Sequence, residues 1–180
     1  MNERATFPLA ERLRAPEGVS IGEAFSFLSG LYFRGKLAYA ARFGRPPGGG
    51  TGALVITANR GLVPADTPVT VPDLREFGTV DIHASDERYR GPLARDAGAI
   101  AGDADTSVVL LGSVATGKYV DVLLGIFGER LLFPSQFVGR GDMSRGALML
   151  RAAREGTELE YQPVAGAVRR GPRAARIGES

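Results

Sequence analysis

The chain has 180 residues, 44% of them hydrophobic, with no cysteine and one histidine, His83. That is enough for one sizeable core. It excludes disulfides, thiolate nucleophiles, cysteine-ligated metal and a histidine-rich metal site. The formal charge is +2, from 22 Lys+Arg against 20 Asp+Glu, and the bases are almost all arginine, Lys36 and Lys118 being the only lysines. The longest apolar runs, Val108 to Leu111 and Val122 to Leu124, fall far short of the ~20 residues of a membrane-spanning helix. Residues 1–16 mix Glu3, Arg4, Glu11 and Arg12 with few apolar residues, unlike a secretory signal. A cytoplasmic protein with no membrane partner is expected.

In chain order, Ser20 followed by Glu23 forms a capping-box pattern ahead of Ala24, Phe25, Phe27 and Leu28 and predicts a helix start. Leu31, Phe33, Leu37, Tyr39 and Ala40 keep a helical spacing up to Gly44, where a Pro/Gly-rich loop over 45–52 begins. Ala53 to Thr57 reads as a buried strand, closed by a sharp turn at Asn59-Arg60-Gly61. Thr70 can cap a short helix with Pro72 in its first turn, Val80 to Ile82 offers a strand, and Pro92 to Ala101 reads as a helix. Ser107 to Leu111 is the clearest strand; Gly112 to Gly117 makes a turn, and a helix over 118–127 ends at Gly128. Leu131 to Phe133 gives a further strand, Asp142 can cap a helix over 143–155, and Leu159 to Tyr161 offers a last strand.

Strands alternating with helices predict a single α/β domain over 1–164, three-layer α/β/α with a mostly parallel central sheet. A basic C-terminal tail follows over 165–180, with Arg169, Arg170, Arg173 and Arg176. In such sheets ligands bind beyond the C-terminal strand ends, here the loops over 59–63, 112–118 and 134–144.

Two motifs carry chemistry. Gly112-Ser-Val-Ala-Thr-Gly-Lys118 matches the first seven positions of a phosphate-binding P-loop between a strand and a helix. Tyr119 stands where Ser or Thr should hold magnesium, and no apolar strand ends in the second metal-binding Asp. A nucleotide-binding protein is thus one alternative.

The same segment, Val108-Val-Leu-Leu-Gly-Ser-Val-Ala-Thr-Gly-Lys118, resembles the strand and loop of the uracil-DNA glycosylase superfamily. Phe133-Pro-Ser135 followed by Gly139-Arg-Gly141 is similar to the family's His-Pro-Ser segment and the Arg-Gly beyond it. Leu54-Val-Ile-Thr-Ala-Asn59 falls where the family has its first strand and water-activating motif. The N-terminal half, with Tyr32, Lys36 and Ala-Asn-Arg-Gly-Leu62, also resembles uncharacterised bacterial domains related to the peroxide-stress YaaA proteins.

The resemblance implies a uracil-DNA glycosylase-like fold and a DNA glycosylase that cleaves the N-glycosidic bond by base flipping and water attack, with no cofactor and no metal. Phe133 in place of the histidine implies a base unlike uracil. On this reading Asn59 positions water and Asp142 supplies the carboxylate. Arg60 and Phe133 form the base pocket, while Ser113, Lys118, Ser135, Arg140 and Arg145 contact phosphates of DNA, the favoured partner. Each has a plainer alternative: Asp142 as helix cap, Phe133 as core, the serines as turn formers, the arginines as surface charge. Tyr32, Arg34 and Lys36, on the first long helix, read as packing and solvated positions. A nucleic-acid binding module without catalysis is the other alternative.

Overall fold

The computed structural model describes residues 7–167. The basic tail expected over 165–180, with its four arginines, lies outside them from residue 168 onward. Helix α1 (Pro8–Arg14) opens the described chain, followed by the two-residue strand β1 (Val19–Ser20). Ser20 then caps α2 (Ile21–Phe43), its hydroxyl accepting a hydrogen bond from the Glu23 amide at 3.2 Å. Gly30, with φ 61° and ψ −140°, kinks this helix, a conformation that an L side chain reaches only under strain. The sequence pattern of a helix that restarts after Leu28 has this glycine as its cause.

Strand β2 (Leu54–Ile56) turns back at Gly61 (φ 66°) and pairs antiparallel with β3 (Leu62–Pro64). The buried Thr57 makes the turn rigid, donating to the Gly61 carbonyl and accepting from the Arg60 amide, both at 2.9 Å. Strand β4 (Pro68–Val69) pairs with β1, and Thr70 and Asp73 form a full capping box at the start of α3 (Val71–Phe77). Helix α4 (Glu87–Ala101) begins earlier than expected because Asp86, not Pro92, marks its start: the Asp86 side chain accepts from the Arg88 amide. Strand β5 (Val108–Val109) leads through a loop into α5 (Gly117–Phe127), then β6 (Leu131–Pro134), α6 (Asp142–Glu155) and β7 (Tyr161–Pro163).

The three-layer α/β/α architecture with a mostly parallel central sheet is not what the chain forms, and the glycosylase-like fold implied by resemblance is corrected with it. Three small separate sheets stand in its place, two of two strands and one of three, together with six α-helices among the described residues. The only parallel pairing described is β5 with β6; β7 returns antiparallel to β6. The physical reason lies at Gly61. A tight reversal there makes the segment after β2 an antiparallel hairpin, whereas a parallel neighbour needs a crossover connection of a dozen or more residues. The expected strand over 80–82 is also absent, and the strand expected over 159–161 forms two residues later.

The core is one connected cluster in which Tyr39, Tyr89, Leu93, Leu131, Phe133, Phe137 and Met149 are essentially fully buried. Across it, α2 and α6 meet backbone to backbone. A Cβ on Gly35 would lie 2.6 Å from the Gly146 carbonyl oxygen, and one on Gly146 would lie 2.8 Å from that of Leu31. Gly35→Ala therefore brings two opposed effects: helix propensity improves by up to about 1 kcal/mol, and a backbone oxygen that cannot rotate away is struck. The clash should win, lowering stability by about 1–3 kcal/mol in denaturant melts. Gly98→Ala in α4, where nothing lies within 4 Å, is the control and should be neutral or stabilising.

Candidate functional site

The closeness of α2 and α6 sets Tyr32 and Lys36, one helical turn apart, against the first turn of α6. The Lys36 amine lies 3.8 Å from the Tyr32 ring centroid, a cation–π contact. The Tyr32 hydroxyl donates to the carbonyl of Leu111, just past the end of β5, at 3.1 Å. From α6, Arg145 donates through Nε and Nη2 to the Phe137 carbonyl at 3.2 and 3.1 Å, and its Nη1 lies 3.9 Å from the Asp142 carboxylate. Tyr32, two cations and one carboxylate thus gather near the end of β5 and the start of α6.

Burial dominates the electrostatics of this cluster. It pulls the Lys36 amine below the usual lysine range; Asp142 opposes that shift, and Arg145 adds to it. Burial likewise raises the Tyr32 hydroxyl, against the lowering effect of Arg145, and raises that of Tyr119.

Lys36 and Tyr119 also line a cavity of about 750 Å³, within the ~300–1,000 Å³ that small-molecule sites occupy. Its walls include Phe33, Leu37, Val55, Leu123 and Phe127, and they run from Gly112 at the end of β5 to the Pro/Gly-rich loop at Arg45, Pro46 and Pro47. Residues of β2 and of β5 both line it, and no ladder joins the two strands. It also reaches a second polar group. Tyr39 and Tyr161 share a 2.6 Å hydrogen bond, Tyr161 donates to Glu158 at 2.8 Å, and the Leu159 amide donates to the Tyr39 hydroxyl at 2.8 Å.

The predicted residues divide into separate groups. Asp142 and Arg145 share the α6 start, and the exposed Arg140 joins them there, with Nη1 3.1 Å from the Ser144 hydroxyl. Asp142 is the first residue of α6 rather than its cap, which is Gly141. Ser135 follows β6, its amide donating to the Glu160 carbonyl at 2.9 Å and its hydroxyl to Gln136 and the same carbonyl, both at 3.3 Å. Ser113 lies half-buried in the loop after β5, and Lys118 is exposed in the first turn of α5, its carbonyl held by the Tyr89 hydroxyl at 2.7 Å. Phe133 is fully buried in β6 and is not among the cavity-lining residues. Asn59 and Arg60 bond instead to α3: Asn59 Nδ2 donates to Glu76 at 2.8 Å, and Arg60 pairs with Asp73 at 2.6 Å and Glu76 at 2.7 Å.

In the loop over 112–118 the Asp121 carboxylate packs against Gly117 at the first turn of α5, and Tyr119 turns toward Gly112 and the cavity. The sequence pattern reads Tyr32 and Lys36 as packing and solvated positions and Tyr119 only as a departure from the P-loop. The Tyr39–Tyr161–Glu158 group went unnoticed, its members being 122 and 3 residues apart. The available signal was Tyr32 and Lys36 at helical spacing beside Gly35.

The Arg60–Asp73 contact is testable through pH. Hydrogen bonds from Thr70, then from Arg60, lower the Asp73 carboxyl from 3.8 to about 2. A depressed carboxyl stabilises the fold above its unfolded pKa and loses that contribution as pH falls through the folded one. Asp73→Asn should therefore melt lower than the parent near neutrality, and the gap should close between about pH 4 and about pH 2. A gap that is constant with pH would remove the ion pair from the account.

No family model, curated protein or solved structure matches this chain.

Proposed function

We propose that the protein binds nucleic acid, DNA first, across the loops that follow β5 and β6, with one nucleobase held in the cavity. The observation that carries this reading is the adjacency of the two parts. A largely apolar and aromatic cavity of about 750 Å³ shares Lys36 with a cluster of cations at the start of α6. Bases have apolar faces that stack on aromatic side chains, and phosphates need cations and amides; a ligand with both fits both. Lys118, exposed at the start of α5, and Arg140, exposed on the loop after β6, would meet phosphates, while Arg145 is held by Phe137 and shapes the site from within.

Binding should be salt-dependent, measured by fluorescence anisotropy on labelled single- and double-stranded DNA. Lys118→Ala and Arg140→Ala should each weaken binding for all sequences alike and reduce the slope of log K against log salt by about 1. Binding that ignores salt, or that both variants leave unchanged, would sink this reading.

A second reading, cleavage of the N-glycosidic bond, is favoured by Asp142. Its carboxylate is 71% exposed, lies near Arg145 and acts on Lys36, so it can accept a proton from water at the edge of the cluster. Asn59 and Arg60 face α3, and Phe133 is in the core, so the set assigned to excision reduces to Asp142. DNAs carrying uracil, mismatches or bulky modified cytosines should release base, detected by mass spectrometry and alkaline cleavage. Asp142→Asn should abolish release and keep binding. No release from any of them, with binding intact, leaves the binding module.

A further inference from the structure

The molecule holds two lysines, and their surroundings differ in kind. Lys118 is exposed in the first turn of α5, and its side chain has no hydrogen bond, ion pair or ring contact among the described residues. Lys36 lines the cavity, with its amine against the face of Tyr32. The groups that face it are Tyr32 on its own helix and, from α6, Asp142 and Arg145; Tyr119 of α5 lines the same cavity. The single nearby carboxylate is largely exposed and is already close to Arg145, so no carboxylate is dedicated to the amine.

We propose that Lys36 is a nucleophile that condenses with an aldehyde-bearing ligand in the cavity. Burial, the largest influence, and Arg145 favour the neutral amine, against Asp142 and the Tyr32 ring face, which favour the charged one; the neutral fraction is the form that reacts. Its lone pair attacks the aldehyde carbon, and the carbonyl electrons pass to oxygen, which takes up a proton. The resulting carbinolamine loses water and leaves an imine. The chemical class is thus an aldehyde attached to a group that fits the cavity. The ring-opened deoxyribose of an abasic site is the member that the nucleic-acid reading supplies, and that identification rests on that reading.

The test traps the imine. The full-length protein is incubated with cyanoborohydride and either pyridoxal 5′-phosphate or an abasic-site oligonucleotide, then digested and mapped by mass spectrometry. Lys36 should carry the reduced adduct several-fold more than Lys118 near neutral pH. The preference should shrink as pH rises toward the range in which an exposed lysine also deprotonates. Lys36→Arg keeps the positive charge and should lose the adduct; its melting curve shows that it folds. Trapping of pyridoxal 5′-phosphate without trapping of abasic DNA supports the nucleophile and counts against the nucleic-acid ligand. Equal labelling of both lysines, or labelling of Lys118 alone, overturns the proposal, because Lys36 is then an ordinary cation kept for charge.

Discussion

The contact between Gly35 and Gly146 governs the rest of the structure. Side chains normally keep helix axes about 8–10 Å apart; two facing glycines remove the atoms that enforce that spacing. Each residue's missing Cβ leaves space that the other helix's backbone already occupies, at 2.6 to 2.8 Å. Everything that defines the candidate site follows from this approach. Tyr32 and Lys36 flank Gly35 on α2, and Asp142 and Arg145 precede Gly146 on α6, so the contact sets the two pairs against each other, close enough for Asp142 and Arg145 to act on both Tyr32 and Lys36.

The cavity is the counterpart of that tight contact. Residues of β2 and β5 line it from two separate sheets, with no ladder between them. The Gly61 reversal pairs β2 with β3, and Thr57 locks the reversal with two hydrogen bonds of 2.9 Å. β5 keeps only β6 as a partner. Arg130 steadies this half of the molecule, donating to the carbonyls of Ala101, Asp103 and Thr106 and so tying the end of α4 and the entry to β5 to the segment before β6. The cavity walls are therefore fixed by hairpin and clamp, not by a sheet, and its apolar side chains remain available to a ligand.

Elements with local causes were legible in the sequence. Ser20, Thr70 and Gly128 each determine a helix end through their own side chain or its absence, and the structure has all three where the pattern puts them. The helices were read largely correctly for that reason. Sheet topology was not, because alternation of strand and helix does not say which strand pairs with which; a three-residue strand after Gly61 altered the outcome. Hydrophobic periodicity is blind to β3, whose Pro64 and exposed end look like loop. The site was half legible. Asp142, Arg145 and Arg140 stand together at the start of α6 and are close in sequence, so local reading names them together, whereas Lys36 reads as a packing or solvated position because its neighbours on α6 lie over a hundred residues later.

The arginines illustrate why a count of charge is a poor guide to a binding surface. Arg60 sits between Asp73 and Glu76, and Arg130 is spent on three carbonyls. Arg145 is mostly buried and held by the Phe137 carbonyl and ring. A cation already engaged this way must break those bonds before it meets a phosphate, and each charge-assisted bond is worth about 1.5–3 kcal/mol. Arg140 is different: one neutral hydroxyl at 3.1 Å is exchanged easily for a phosphate oxygen. The chain's small net charge therefore says little about this face: what counts is that Arg140 and Lys118 are exposed there, while Arg60 and Arg130 are engaged elsewhere.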